Sequence, residues 1–242
     1  GHAVQTQWIE APAGPRDPEI RTTFHFAAGV ADAVRDARSS GALPIILSGN
    51  CSTSIGTLAG LADAEPVVVW LDAHGDFNTP ETSPSGFLDG MSLAAATGHC
   101  WADLASAIPG FHPTPESRVL LVGTRDLDPA EADLLRASAC TVLSPHELDA
   151  GLSDALDTLR TRAGTVYLHI DLDVLDPSIA PANLFAAPDG LQLPQVIGIV
   201  RGLRRRFDLA AVALTAYDPY YDPDARIPAA AESILTELVN DA

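Results

Sequence analysis

The chain has 242 residues, 47% of them apolar, and a net charge of −18 in which all 14 basic residues are arginine. That length suits one domain with a buried sheet, and a single domain over residues 1–242 accounts for the whole pattern. So acidic a chain argues against nucleic acid or an anionic membrane as partner, and no apolar run reaches the roughly 18–20 residues a spanning helix needs. Three cysteines, Cys51, Cys100 and Cys140, lack CxxC spacing and suggest neither a disulfide framework nor a structural zinc site. A reducing cytoplasm is the expected compartment. The polar opening Gly1-His2-Ala3-Val4-Gln5-Thr6-Gln7 has none of the marks of a signal peptide.

In chain order, Leu43-Pro44-Ile45-Ile46-Leu47 reads as a strand, followed by helical spacing from Ser52 to about Ala64. Val67-Val68-Val69-Trp70-Leu71 is a second, more β-branched strand and Val119-Leu120-Leu121-Val122 a third. A helix is expected from Pro129, which fits a first helical position. Thr141-Val142-Leu143 is a short strand, Ala150–Arg162 a helix, and Thr165-Val166-Tyr167-Leu168-His169-Ile170 the next strand. Leu191–Phe207 is helical, Ala210–Thr215 a strand and Pro228–Val239 a closing helix. Continuous apolar strands alternating with helices predict a doubly wound, mostly parallel sheet covered on both faces. In such sheets ligands sit beyond the carboxyl ends of strands. The two long connections, Asp72–Gly90 and Asp171–Gly190, are therefore the places to look for a site.

Both begin with acids at ligand spacing. Asp72-Ala73-His74-Gly75-Asp76 follows one strand and Asp171-Leu172-Asp173 follows another. In extended backbone, residues i, i+2 and i+4 share a side, so each set can converge. Four carboxylates and one imidazole make a hard, oxygen-rich donor set that suits Mn²⁺. Without cations, such a cluster could not keep all its charges. Turn-capping aspartates would be the bland explanation of a lone DxD, but they explain two such motifs at strand ends poorly.

Asp72-Ala73-His74-Gly75-Asp76-Phe77-Asn78-Thr79-Pro80 resembles the DAHxDxNTP signature of the arginase–agmatinase–formiminoglutamase (ureohydrolase) family. Asp171-Leu172-Asp173-Val174-Leu175-Asp176-Pro177-Ser178 resembles the same family's DxDxLDPS segment. The resemblance runs from about Leu43 to the end and implies an arginase-like three-layer αβα fold. It also implies a first strand ahead of Ile20, which cannot be found in the sequence. Carried over by position, it implies two Mn²⁺ ions with Asp72 and Asp171 between them, Asp76 on the first, and His74 with Asp173 on the second. Asp76 would also orient the attacking water.

At four places the chain departs from the family. Cys51, in Ser48-Gly49-Asn50-Cys51-Ser52, stands where GGDHS supplies a further His ligand. The cysteine reads equally well as a weak ligand or a buried packing residue. It resembles the Nω-hydroxy-L-arginine amidinohydrolase branch of the family. Asp89, in Gly86-Phe87-Leu88-Asp89-Gly90, replaces the proton-shuttle His of GNLHG, and reads either as a catalytic relay or as a turn residue. Ala216 replaces the Glu that grips a guanidinium, with Asp218 or Tyr217 as candidate substitutes. Asn183-Leu184-Phe185-Ala186 replaces TGTP, a greasier wall.

By position, Asn78 and Ser85 would hold a substrate carboxylate and Asp128, in the RDxDP turn, an α-amino group. N-capping explains Asp128 equally well. His169 reads as a packing residue, with support of a ligand as the alternative.

The resulting expectation is a dimetal hydrolase cleaving a C–N bond of a small guanidino-type amino-acid derivative. A hydroxyguanidine is the best single candidate, releasing urea or hydroxyurea. The partner is a small molecule, and the family resemblance implies a homo-oligomer. The alternative is a weakly catalytic relative that binds a metabolite for regulation or scaffolding. A dinucleotide-binding protein is set aside, because no GxGxxG follows a strand.

Overall fold

Val67–Leu71 and Thr165–Asp171 are buried along both alternating faces, as in a strand covered from both sides. They are the two central strands of the computed structural model, which describes residues 2–10 and 18–239. In chain order the elements are α1 (Glu19–Ser39), β1 (Ile45–Leu47), α2 (Thr53–Gly60), β2 (Val67–Leu71), α3 (Ser92–Thr97) and α4 (Ala102–Ser106). There follow β3 (Val119–Val122), α5 (Pro129–Ala137), β4 (Thr141–Leu143), α6 (Leu148–Arg160), β5 (Thr165–Asp171), α7 (Leu193–Arg204), β6 (Asp208–Thr215) and α8 (Arg226–Val239).

The sheet is wholly parallel, in the order β1-β6-β5-β2-β3-β4. Alternate residues feed two cores. Val68, Trp70, Leu121 and Tyr167 face α1, α2 and α3, while Val69, Leu71, Leu168 and Ile170 face α6, α7 and α8. On the first face α1 and α2 pack so closely that a Cβ on Gly56 would fall 2.0 Å from the Ala27 carbonyl oxygen, so only glycine fits. The two central strands, β2 and β5, are where this topology matters. After β2 the chain winds outward through β3 and β4. It then returns beside β2 as β5 and winds the other way through β6. The loops after β2 and β5 thus part company at a topological switch point, where a crevice opens.

Three of the predicted strands have the expected bounds, and the predicted helices all appear with ends shifted by a few residues. The long helix α1 and the short α3 and α4 were not anticipated. Buried Phe24, Ala27, Val30, Ala31 and Val34 give α1 its apolar stripe. No strand precedes α1 among the described residues, and residues 11–17 lie outside them. β1 is an edge strand with Leu47 exposed. No helix among the described residues is long and apolar enough to cross a membrane.

Candidate metal centre

Register places the site. Leu71 pairs with Ile170, so the next residues, Asp72 and Asp171, sit side by side at the switch point. Asp171 in turn pairs with Thr215 on β6. Donor atoms of Asp72, His74 and Asp173 lie within 4.8 Å of one another, and so do those of Cys51, Asp72 and Asp171. Asp72 belongs to both triads. His74 Nδ1 is 3.3 Å from Asp72 Oδ1 and 3.4 Å from Asp173 Oδ2. Cys51 Sγ is 3.0 Å from Asp171 Oδ2.

Asp76 belongs to neither triad but is buried beside them, with Oδ2 lacking any hydrogen-bond partner. Its φ of 48° is in the left-handed region, which Asp tolerates better than most residues. Such an orphaned carboxylate oxygen, held in an uncommon backbone conformation, is what an unmet cation or substrate contact leaves behind.

Each acid is oriented by neighbours. The Trp70 indole donates to Asp72 Oδ2 at 3.0 Å, and the His74 N–H donates to Oδ1 at 2.8 Å. The Asp173 N–H donates to Asp171 Oδ1 at 2.8 Å. The Thr124 hydroxyl donates to the His74 carbonyl at 3.2 Å. Glu131 on α5 accepts the Phe77 N–H at 2.8 Å, and a Cβ on Gly75 would lie 2.7 Å from that same carboxylate. A larger residue in the middle of the His74–Asp76 turn would thus push the Glu131 carboxylate away from the Phe77 N–H. Asn183 spans Asp173 Oδ2 at 3.1 Å and the Ala216 carbonyl at 2.9 Å. Arg125 grips the Asp173 and Ala187 carbonyls at 2.9 and 2.8 Å, closing the loop after β5 onto the turn after β3.

The electrostatics fit a cation centre. Burial, then Asp173 and Asp72, push the Asp171 carboxyl well above its ordinary range. Burial, then Asp72 and Asp89, do the same to Asp76. Asp173 rises to about 6, from burial and the Asp72 charge. Burial works against the charged form of His74, but the Asp72 hydrogen bond and the Asp173 charge outweigh it and lift the imidazole to about 9. Alone, these groups therefore compete for protons; two divalent cations would let all the acids ionise together. The donor set accordingly fits two metal ions, a hard position at His74 and Asp173 and a softer one at Cys51.

Several residues singled out from the sequence are placed differently from one another. Asn78 and Asp128 come together, with Asn78 Nδ2 donating to Asp128 Oδ2 at 3.0 Å while Thr82 donates to Asn78 Oδ1 at 3.0 Å. Asp128 precedes Pro129 without making a side-chain cap, so N-capping does not account for it. Ser85 is exposed and its hydroxyl accepts the Phe87 N–H at 3.1 Å, a local turn contact. Asp218 is exposed too, and its Oδ1 accepts the Tyr220 N–H at 2.9 Å. It does not replace the missing Glu in this conformation.

Asp89 is not a surface turn residue. Its two oxygens accept the backbone N–H groups of Cys51 and Ser52 at 3.1 and 2.9 Å, and burial raises its carboxyl above the ordinary range. Phe87 stacks on Phe185, with centroids 5.6 Å apart, and the Phe185 ring stands edge-on to His74 at 6.5 Å. These two partly exposed rings form an apolar rim beside the donors. Glu131, Asn183 and Thr124 were not expected from the sequence as site residues. Glu131 carried only a helix-face signal, and the other two none.

A parallel α/β domain with two acid-rich donor triads at its switch point defines a class of hydrolase-like metal sites. The arginase family profile matches residues 13–240, and the chain belongs to that family, whose members are hydrolases acting on guanidino-type C–N bonds. It is 33% identical over 208 residues to the N(omega)-hydroxy-L-arginine amidinohydrolase of Streptomyces lavendulae, covering 84% of this chain and 72% of that protein. It is 42% identical over 161 residues to the arginase of Bacillus caldovelox, covering 63% of this chain but only 53% of that protein. Among solved structures, the arginase of Bacillus subtilis superposes with a TM-score of 0.88 at 28% identity, covering 97% of this chain and 83% of that one.

Proposed function

We propose that this protein is a dimetal hydrolase that cleaves a C–N bond of a small guanidino-type amino-acid derivative, with a hydroxyguanidine such as Nω-hydroxy-L-arginine the preferred substrate. The observation that carries the reading is the pair of donor triads hinged on Asp72. When bound, two Mn²⁺ ions would lower the pKa of a water and stabilise negative charge developing at the attacked carbon's substituents.

The chain's own groups do the rest. Asp72, Asp171, Asp173, His74, Cys51 and Asp76 would hold the cations. The free Oδ2 of Asp76 accepts a proton from the attacking water and keeps its lone pair aimed at the guanidino carbon. The coupled Asn78 and Asp128 side chains meet the amino-acid end, the amide toward a carboxylate and the acid toward an α-amino group. Leu184, Phe185 and Phe87 form an apolar rim that limits water entry.

Substrate choice turns on Ala216. A guanidinium brought to this wall finds a methyl and a carbonyl already engaged by Asn183, so a fully charged group loses solvation without a counter-charge. A hydroxyguanidine is less basic than a guanidine, is neutral more often at working pH, and loses least. As in other arginase-family proteins, we take the working form to be an oligomer and the compartment to be reducing.

The test is release of urea or hydroxyurea from arginine, Nω-hydroxyarginine, agmatine and guanidinobutyrate, and of formamide or ammonia from formiminoglutamate, with added Mn²⁺. Hydroxyarginine should turn over with the highest kcat/KM. Arginine turning over at least as well would contradict the substrate assignment. Inertness toward all five with metal bound would point to the metabolite-binding alternative.

A further inference from the structure

We propose that Cys51 is held for metal ligation by a two-sided clasp in which Asp89 fixes its backbone and Thr215, backed by His169 and Tyr167, fixes its sulfur. The inference rests on the reading of Cys51 as a ligand and assigns positioning roles to four residues that the reaction itself does not need.

The backbone side is a bidentate grip. Consecutive N–H groups of Cys51 and Ser52 donate to different oxygens of one carboxylate, Oδ2 and Oδ1 of Asp89. Two bonds from adjacent peptides to one rigid acceptor fix the dihedral angles between them, and so the direction of the Cys51 Cα–Cβ bond. Asp89 is itself fixed, because it opens the short helical turn Asp89–Met91 that leads into α3, and the Ser92 hydroxyl bonds back to its carbonyl.

The sulfur side is a chain of side chains across two strands. Cys51 Sγ lies 3.1 Å from Thr215 Oγ1, which lies 3.3 Å from His169 Nε2. His169 Nδ1 lies 2.9 Å from the Tyr167 hydroxyl. Tyr167, His169 and Thr215 are all fully buried. Each of the three carries one donor and at least one acceptor, and Thr215 Oγ1 also lies 3.3 Å from the Ile170 carbonyl, so every polar atom along the chain has a partner. The chain ends with the Thr215 hydroxyl against Sγ, which fixes the sulfur beside Asp171. The imidazole is locked in place by stacking on Trp70, 3.6 Å between centroids and 10° from parallel. Trp70 in turn bonds to Asp72, which ties the clasp to the shared ligand.

Cys100 shows what a packing cysteine looks like in the same protein. It is also buried, yet its sulfur has one weak contact, 3.9 Å from the Met91 carbonyl. A cysteine that only fills space needs no hydroxyl, imidazole and phenol lined up behind it. The polar chain is costly to bury unless it serves a group at its end.

The experiment loads the full-length protein, as wild type, Thr215→Val and Asp89→Asn, with Co²⁺. Thr215→Val removes the hydroxyl at constant shape, and Asp89→Asn leaves an acceptor for only one of the two N–H groups. The readouts are the thiolate-to-cobalt charge-transfer band, Co²⁺ affinity, and the alkylation rate of Cys51 in metal-free protein by peptide mass mapping. Cys100 serves as the internal control for folding. Wild type should show the band, and each variant should bind Co²⁺ at the thiolate position roughly 10–100-fold more weakly, the usual cost of losing an outer partner of a ligand. Cys51 should alkylate faster in both variants while Cys100 does not change. If wild type shows the band and both variants match it in intensity, affinity and alkylation, the clasp is idle and the proposal fails while the ligand reading stands. If wild type shows no band, Cys51 is not a ligand, and both fall together.

Discussion

The two donor triads share Asp72 and differ in almost everything else. The first triad opens to the crevice mouth through His74 alone, whose imidazole keeps 26% of its side-chain surface in solvent and looks toward Asp126 at 3.9 Å, while Asp173 behind it is buried. Cys51 and Asp171 sit in the floor, fully covered, with the sulfur pressed against a carboxylate and a threonine hydroxyl. The first triad is built of hard or borderline donors, in a place where water and substrate can reach the ion. The second adds a soft donor in a dry place, where an ion is held by geometry more than by hardness. Under the proposed dimetal reading, the shared acid would serve two unlike positions, one more open than the other.

The comparison breaks most sharply if its floor is removed. Asp171→Ala leaves Cys51 without its carboxylate partner and Asp72 without its neighbour. Hydrolysis should fall by at least about 10³-fold, since several kcal/mol of Lewis-acid stabilisation depend on that ligand. Steady-state kinetics on the best substrate checks this, and activity near wild type would remove the buried triad from the mechanism.

Chelation gives the next largest effect. Buried acids that compete for protons when alone should be stabilised by cations, by about 2.7 kcal/mol when Mn²⁺ exceeds its Kd by roughly 100-fold. Thermal unfolding with EDTA and with Mn²⁺ should show a higher Tm with metal. An unchanged Tm would mean that these carboxylates do not gather a cation.

A smaller effect is expected at the substrate wall. Ala216→Glu restores a charged acceptor beside the donors and should move selectivity toward arginine over hydroxyarginine by about 1–3 kcal/mol in kcat/KM terms. No shift would show that the wall at Ala216 does not meet the guanidino end. Least of all should come from Ser85→Ala. The Ser85 hydroxyl contacts only its own exposed turn, accepting the Phe87 N–H and lying 3.5 Å from the Ser83 hydroxyl. Both kcat and KM should stay within about 0.5 kcal/mol of wild type, the usual range for surface changes. A large rise in KM would return Ser85 to the substrate site.

What could be read from the sequence follows from range. The Asp72–Asp76 and Asp171–Asp173 motifs were legible because alternation within an extended stretch is local, and because a strand end in a parallel sheet has a predictable place. Helix α1 was missed although its stripe is regular, because three of the alanines around it, Ala27, Ala28 and Ala31, lower the contrast that marks an apolar face. The grip of Asp89 on another element was hidden for a different reason. Its partners, Cys51 and Ser52, lie 38 and 37 residues away, and no local pattern reports a carboxylate that folds back onto another element's backbone. Asn183 joins Asp173 to Ala216 across 33 residues and escaped notice on the same ground. Asp218 went the other way, since its acidic side chain looked available but is taken up two residues along by Tyr220.

The central claim is that one acid, Asp72, belongs to two metal positions that are otherwise separate. Metal content per chain, measured by plasma mass spectrometry after Mn²⁺ loading and desalting, tests it directly across Asp72→Ala, Asp173→Ala and Cys51→Ala. Asp173→Ala should lose the ion at the mouth and keep the floor position, Cys51→Ala should lose or weaken the floor position and keep the mouth, and Asp72→Ala should lose both. An Asp72→Ala protein that retains as much metal as either of the other variants would contradict the account.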